Sequence, residues 1–400
     1  MIDYDPFRSG GEQLYDVYAR LRDEAPVHWA EATGTYVLSR HEDVHWALGE
    51  VELFSSDAMR GVLMNQPTGS GKERLPREDH MGTLVAVDPP DHTVLRRIVN
   101  RGFTPRRMQA WHEHIERIAT TCLGAAEPGA PFDVVAGLAA PLPVRVITVM
   151  VGADPAEADT FRAWADALTR VQSGSARDTG LSMEEAGAML ELADDLGRRI
   201  DDRHDHPQDD LLTDLVRAAD DEVLTRGEAV GFAALLLFAG TETTTNLIGN
   251  AVAALVRHPE ELARCQAEPE RIDRVIEETL RWESPVQYVF RRTTEPVERH
   301  GVELPVDSTV TLLLGAANHD PRQWGDDADR FHPDRDTVGH TAFGFGPHFC
   351  LGAALARAET AIALRHLVPT LTGRPLEAQD DWLDSLQFRG RRRYLVDRRA

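Results

Sequence analysis

The chain has 400 residues, 42% of them hydrophobic, and a net charge of -23. So acidic a chain is not built to bind nucleic acid, and its three cysteines (Cys122, Cys265 and Cys350) stand in no paired spacing, which argues against a disulfide framework. No run approaches the roughly 20 apolar residues of a membrane helix, and the start Met1 to Pro6 has neither signal nor anchor character, so a soluble, cytoplasmic protein with no membrane contact is expected.

Glu12 to Asp23 places Leu14, Val17, Tyr18 and Leu21 on a stripe of helical period. Val27 to Ala30 and Thr35 to Ser39 read as a short hairpin turning at Gly34, and His41 to Leu48 as a second helix. From Ser55 to His80, glycine and proline make an irregular stretch of a length that usually carries function or disorder. Pro89 and Pro90 end that run, and Asp91 is placed to cap a helix. His92 and Arg96, four apart, share one helical face, and two donors on one face suit a carboxylate. Arg96, Arg97, Arg101, Arg106 and Arg107 cluster with no acid between Asp91 and Glu113, and in this chain such a patch points to an acidic partner.

Met108 to Met150 reads as helices broken near Pro128 and Pro131, and Ala156 to Ile200 as helices around the polar break Gln172 to Asp178. Arg203 to Asp210 is a polar surface stretch interrupted by Pro207. Thr225 and Glu228 form a capping box that opens a helix running to His258, where Pro259 stops it. At 1.5 Å per residue such a helix is about 50 Å long, enough to cross the molecule. Gly231 to Phe238 is apolar all round, which buries the middle. That buried middle continues as Ala239, Gly240, Thr241, Glu242, Thr243, Thr244 and Thr245, poor choices for a helix interior. A local rule broken inside a core is where function is expected. Ile272 to Trp282 is a further helix with Glu278 and Arg281 on one face, spaced for a buried charge pair. Ser284 to Thr294 alternates like a strand, and Gly301 to Leu314 continues as a hairpin.

The densest signal is Thr341 to Arg357. Phe343, Gly344 and Gly346 read as a tight turn, and the residues from Leu351 to His366 follow a helical pattern. Phe349 holds the place where a dinucleotide loop needs its third glycine. Cys350 falls at or just before a helix N-terminus, where the dipole and free N–H groups stabilise a thiolate, and a thiolate so held is what an axial haem ligand requires.

Phe343, Gly344, Gly346, His348, Cys350 and Gly352 match, position for position, the cysteine loop Phe-Gly-x-Gly-x-His-x-Cys-x-Gly, and the stretch resembles that of the cytochrome P450 family. Three further motifs stand in the family's order: His92-x-x-x-Arg96, Ala239 to Thr244, and Glu278-x-x-Arg281. The resemblance implies one P450 domain over residues 1–400. That fold is mainly α with a small β-rich subdomain, expected at about 25–60 and 285–315 plus 385–397. It implies haem b ligated by Cys350, with O2 as co-substrate.

By the same resemblance His92, Arg96 and Arg291 hold the propionates, with Arg292 the alternative to Arg291. Ala239, Gly240, Phe343, Gly344, His348 and Gly352 frame the haem. Glu242 and Thr243 relay protons. Arg330 joins the structural pair Glu278 and Arg281. The loop after Ser55 roofs the pocket, and substrate contacts fall on Met59, Leu63, Met64, Leu235, Phe238, Val286, Tyr288, Val289 and Gln387. The arginine patch lies on the cysteine side of the haem, where an acidic ferredoxin served by its own reductase docks on a monomer. The implied reaction inserts one oxygen atom into a mainly apolar small molecule, such as a polyketide, terpenoid or steroid, by hydroxylation or epoxidation. A peroxide-using enzyme, a nitric-oxide reductase of this fold and a non-catalytic haem binder are the rival readings.

Overall fold

A computed structural model describes residues 2, 4, 13–59, 84–124, 130–172, 182–220, 224–376, 381–383, 385 and 387–399. Helices dominate: α1 (Leu14–Glu24), α2 (His41–Gly49), α3 (Asp91–Val99), α4 (Pro105–Gly124), α5 (Pro141–Met150), α6 (Ala158–Gln172), α7 (Met183–Asp205), α8 (Leu211–Asp220), α9 (Arg226–Arg257), α10 (Pro259–Ala267), α11 (Ile272–Trp282), the short α12 (Leu314–Ala317) and α13 (Pro321–Trp324), and α14 (Ala353–Leu367).

The core is organised around α9. Thr225 caps it, its side chain accepting the Glu228 N–H while the Glu228 carboxylate takes the Thr225 N–H, so two orphan donors are satisfied. His258 ends it before Pro259. Packing against α5, α6, α7, α11 and α14 buries much of the helix, and its C-terminal half from Asn246 to Val256 on every side, which explains why its apolar residues circle the axis instead of forming one stripe.

The main sheet has the order β1-β2-β8-β5-β3, from β1 (Val27–Ala30), β2 (Thr35–Leu38), β3 (Phe54–Ser55), β5 (Tyr288–Thr293) and β8 (Thr309–Leu313). The hairpin β1–β2 runs beside β8 in parallel, and β8 pairs antiparallel with β5. These strands fall within the expected segments 25–60 and 285–315. The expected hairpin at Gly301 to Leu314 divides instead: β7 (Val302–Leu304) pairs with β6 (Val297–Arg299), while β8 enters the main sheet.

The C-terminal strand β12 (Leu395–Arg398) belongs to a separate sheet with β4 (Phe132–Asp133) and β9 (Leu371–Pro375). β4, only two residues long, lies where the sequence reads as helices around a break. Asp91 is the first residue of α3 and makes no side-chain cap, the cap position being Pro90.

Candidate active site

The loop before α14 brings Cys350 into the interior. Gly344 and Gly346 both have positive φ, 69° and 72°. A Cβ on Gly346 would stand 3.0 Å from the Leu48 carbonyl oxygen, so α2 leaves room only for glycine. The turn lets the Cys350 N–H reach the Phe343 carbonyl at 2.8 Å. Gly352 and Ala353 turn their N–H groups toward the sulfur, while Arg96 and Arg357 add positive charge. Burial nevertheless outweighs these four influences and pushes the thiol above its ordinary range. The sequence places a stabilised thiolate here; in the folded chain burial opposes that ionisation, and a cation at the sulfur would favour it.

Such a cation has a place. Cys350 opens on a cavity of about 310 Å³, roughly twenty times the ~15 Å³ that holds one water. On its rim lie His92, Arg96, Arg291 and His348. His92 and Arg291 are almost fully buried, and His92 Nε2 and Arg291 Nε find no hydrogen-bond partner among the described residues. Burial lowers the Arg291 pKa to about 10. Donors left unsatisfied at such depth are costly unless a ligand meets them, and two carboxylates would do so. Arg292, the alternative, is committed elsewhere: it grips Asp57 at 2.8 and 2.5 Å and Asp307 at 2.5 Å. Strand alternation separates the two arginines, and the same alternation turns Val289 to the cavity and Tyr288 to the core behind the sheet.

His348 packs at a tilt against His92, ring centres 4.1 Å apart, and shares a 3.0 Å hydrogen bond with Ser56 Oγ. Burial lowers the His348 pKa to about 2, so its ring stays neutral. A haem with its iron at Cys350 and its propionates at His92, Arg96 and Arg291 fits this donor set.

The opposite wall is the middle of α9. Phe232, Leu235, Phe238, Ala239, Gly240 and Thr243 line it, with Phe238 edge-on to Phe388 at 5.9 Å. Gly240 lets α5 approach, since a Cβ there would already touch Ile147 at 3.4 Å. The Thr243 hydroxyl donates to the Ala239 carbonyl at 2.7 Å, and the helix stays regular. Glu242 points elsewhere and does not line the cavity: its carboxylate accepts from Asn246 Nδ2 at 3.1 Å, and burial raises its pKa. The Gln387 amide donates to the Tyr288 carbonyl at 3.1 Å on the cavity edge. Met59 lines the cavity too, while Leu63 and Met64 lie outside the described residues.

Behind the cysteine loop, Glu278 and Arg281 are fully buried and joined at 2.7 and 2.8 Å. Arg281 also donates to the carbonyls of Asn318, Ala328 and Arg330. The expected third partner is therefore corrected. Arg330 contributes only its backbone oxygen, and the guanidinium beside Glu278 is that of Arg335, at 3.6 Å. The meander from Pro321 to Arg335 curls so that position 335, not 330, turns inward. Asn318 then accepts the Thr341 N–H at 2.7 Å and so ties this cluster to the start of the cysteine loop.

The arginine patch is also revised. Arg97, Arg101 and Arg106 are exposed, but Arg96 turns to the cavity and Arg107 pairs with Asp209 at 2.7 Å and Asp214 at 3.3 Å. Sequence reasoning also passed over Glu359, a buried carboxyl on the cavity wall whose pKa burial drives to about 8. An acid in a helix pattern signals nothing until the fold shows which face it occupies.

Comparison with known proteins agrees with this geometry. The family model described as Cytochrome P450 matches residues 187–386. Cytochrome P450 107B1 of Saccharopolyspora erythraea is 36% identical over 95% of this chain and 93% of its own. Erythromycin C-12 hydroxylase of the same organism is 35% identical over 95% and 92%. The structure of cytochrome P450 CYP109Q5 from Chondromyces apiculatus superposes with a TM-score of 0.87 at 33% identity, covering 100% of this chain and 99% of that one. The chain belongs to the cytochrome P450 family, as a bacterial-type P450 monooxygenase.

Proposed function

We propose that this monooxygenase carries haem b on Cys350, takes its electrons from an acidic ferredoxin, and oxidises a mainly apolar natural product of medium size. One observation carries the reading. A single cavity joins the half-buried Cys350, the unpartnered His92 Nε2 and Arg291 Nε, and the Thr243 wall of α9. The group, when bound, supplies the activation of O2 that no side chain here can perform. The chain supplies the rest. His92, Arg96 and Arg291 orient the cofactor through its carboxylates, and Phe343, Gly344, His348 and Gly352 shape its cysteine side. Ala239 and Gly240 keep α9 close above it.

Thr243 is the hydroxyl at the reaction face. Its back-bond to Ala239 leaves the oxygen's lone pairs free to accept and pass a proton. Glu242 serves as the acid behind it, and burial raises its pKa so that it holds its proton more tightly than an ordinary carboxyl. Leu235, Phe238, Val289 and Gln387 contact the substrate, and their largely apolar character excludes water and favours an uncharged ligand. A relative over nearly the full chain is named erythromycin C-12 hydroxylase, which supports the natural-product class. Exposed Arg97, Arg101 and Arg106 receive the ferredoxin. In this reading the chain acts as one domain and as a monomer in the cytoplasm; no helix among the described residues is long and apolar enough to cross a membrane.

The test is the absorption spectrum of the reduced protein with carbon monoxide. A Soret band at the long-wavelength position peculiar to thiolate ligation is expected, and its loss in Cys350→Ser. A band at the histidine-type position, or no haem, would overturn the reading. Spin-state shifts on adding apolar natural products then identify the substrate.

A further inference from the structure

The face of α11 carries two adjacent carboxylates with different fates. Glu278 turns inward to Arg281, while Glu277 turns toward α14 and holds Arg357 bidentately, at 2.5 and 2.8 Å. His340 joins the same carboxylate at 3.3 Å. Its other ring nitrogen accepts the Ala342 N–H at 3.2 Å, so the proton sits on Nε2 and points at Glu277. Both partners hold Glu277 ionised, with its pKa lowered to about 2. Arg357 is thereby fixed in direction.

Its guanidinium lies over the Phe343 ring, 4.5 Å from the centroid. Phe343 is the residue whose carbonyl takes the Cys350 N–H, and its ring lines the cavity. Glu277, His340 and Arg357 themselves stay outside the cavity wall. A fixed cation therefore sits one aromatic ring away from the ligating loop, and the Cys350 sulfur feels it. A cation held against a ring in a partly desolvated site is a strong local source of field.

We propose that Arg357, oriented by Glu277 and His340, is a positioning residue that sets the reduction potential of the thiolate-bound iron. Reduction adds one electron, delivered by the redox partner, and breaks no bond. A nearby positive charge stabilises the more negative reduced form, so Arg357 raises the potential and Glu277 opposes it in part. The proposal rests on Cys350 being the axial ligand. The long-wavelength band of the unmodified protein with carbon monoxide verifies that separately.

The experiment is a spectroelectrochemical titration of the ferric–ferrous couple in the holoenzyme and in four variants. Arg357→Gln is expected to lower the potential and Glu277→Gln to raise it. The double variant is expected to return close to the starting value, and Arg357→Lys to stay near it. A role in folding alone cannot give opposite signs from two partners of one ion pair. Where Arg357→Gln fails to retain haem, the upward shift of Glu277→Gln decides. Equal potentials, or two shifts of the same sign, in variants that keep the long-wavelength band would overturn the assignment of Arg357 and leave the ligation of Cys350 standing.

Discussion

Cys350 illustrates how a residue's chemistry is set by competition. Backbone N–H groups and arginines pull its pKa down while burial pushes it up, and burial wins. Cys122 and Cys265 are buried and do not line this cavity, and burial raises their pKa as well. Thr243 has the only hydroxyl group of α9 that combines a cavity position with a back-bond to Ala239. Thr243→Ala is expected to cut product per electron consumed by about 10²-fold, the lower range for one proton-transfer group. Reduced oxygen released as peroxide should take up the difference, while the substrate-induced spin shift is retained; product and peroxide yields per NADH check this.

Glu359 makes a pH prediction. Its folded pKa of about 8 exceeds the ordinary 4.5 because its carboxylate would stand buried without a partner. The folded state then holds a proton that the unfolded state releases. The residue therefore weakens the fold progressively as pH rises from about 4.5 to about 8. Glu359→Gln should gain stability over the unaltered protein across that window, by at most roughly 4 kcal/mol at its upper end. Denaturant melts of the haem-free protein at pH 5 and pH 8 measure it.

At the scale of elements, the site depends on how α11 and the meander grip the cysteine loop. Glu278 and Arg281 are satisfied on every side and have no route to water. Removing one partner leaves a buried charge, so Arg281→Ala is expected to cost about 3–5 kcal/mol. Haem content on expression and the thermal midpoint report that loss. Gly346 is a second test of the loop. Its positive φ and the Leu48 carbonyl 3.0 Å from a would-be Cβ oppose any side chain. Gly346→Ala should destabilise by roughly 1–3 kcal/mol and broaden the Soret band by loosening the ligand.

The whole molecule presents a basic face on a strongly acidic body. Arg97, Arg101 and Arg106 stand exposed on α3, the turn after it and α4, beside the wall that carries Arg96. Such a contrast guides an acidic partner more than it tightens the final complex. Reversing all three to glutamate should slow reduction by an acidic ferredoxin about tenfold at low ionic strength, and the gap should shrink as salt rises. Stopped-flow reduction followed by carbon monoxide binding reads this, and chemical reduction by dithionite should proceed as before.

Much of this protein is legible in the linear chain because the chemistry is local. The capping box of α9, the glycine turn before Cys350 and the i,i+3 pair Glu278–Arg281 are short-range patterns, and the backbone realises them where the residues stand. Their order along the chain was enough to suggest the fold and a cysteine-ligated cofactor. What tertiary structure alone decided depends on contacts between distant segments. That Arg291 and not Arg292 faces the cavity came from strand alternation and from Asp57 and Asp307. The replacement of Arg330 by Arg335 came from the path of the meander, and the withdrawal of Glu242 from the cavity from its angle on α9. The cluster of Glu277, His340 and Arg357 spans 80 residues and leaves no spacing to read. Neither does the balance at Cys350, because the desolvation that governs its charge is a property of everything packed around it.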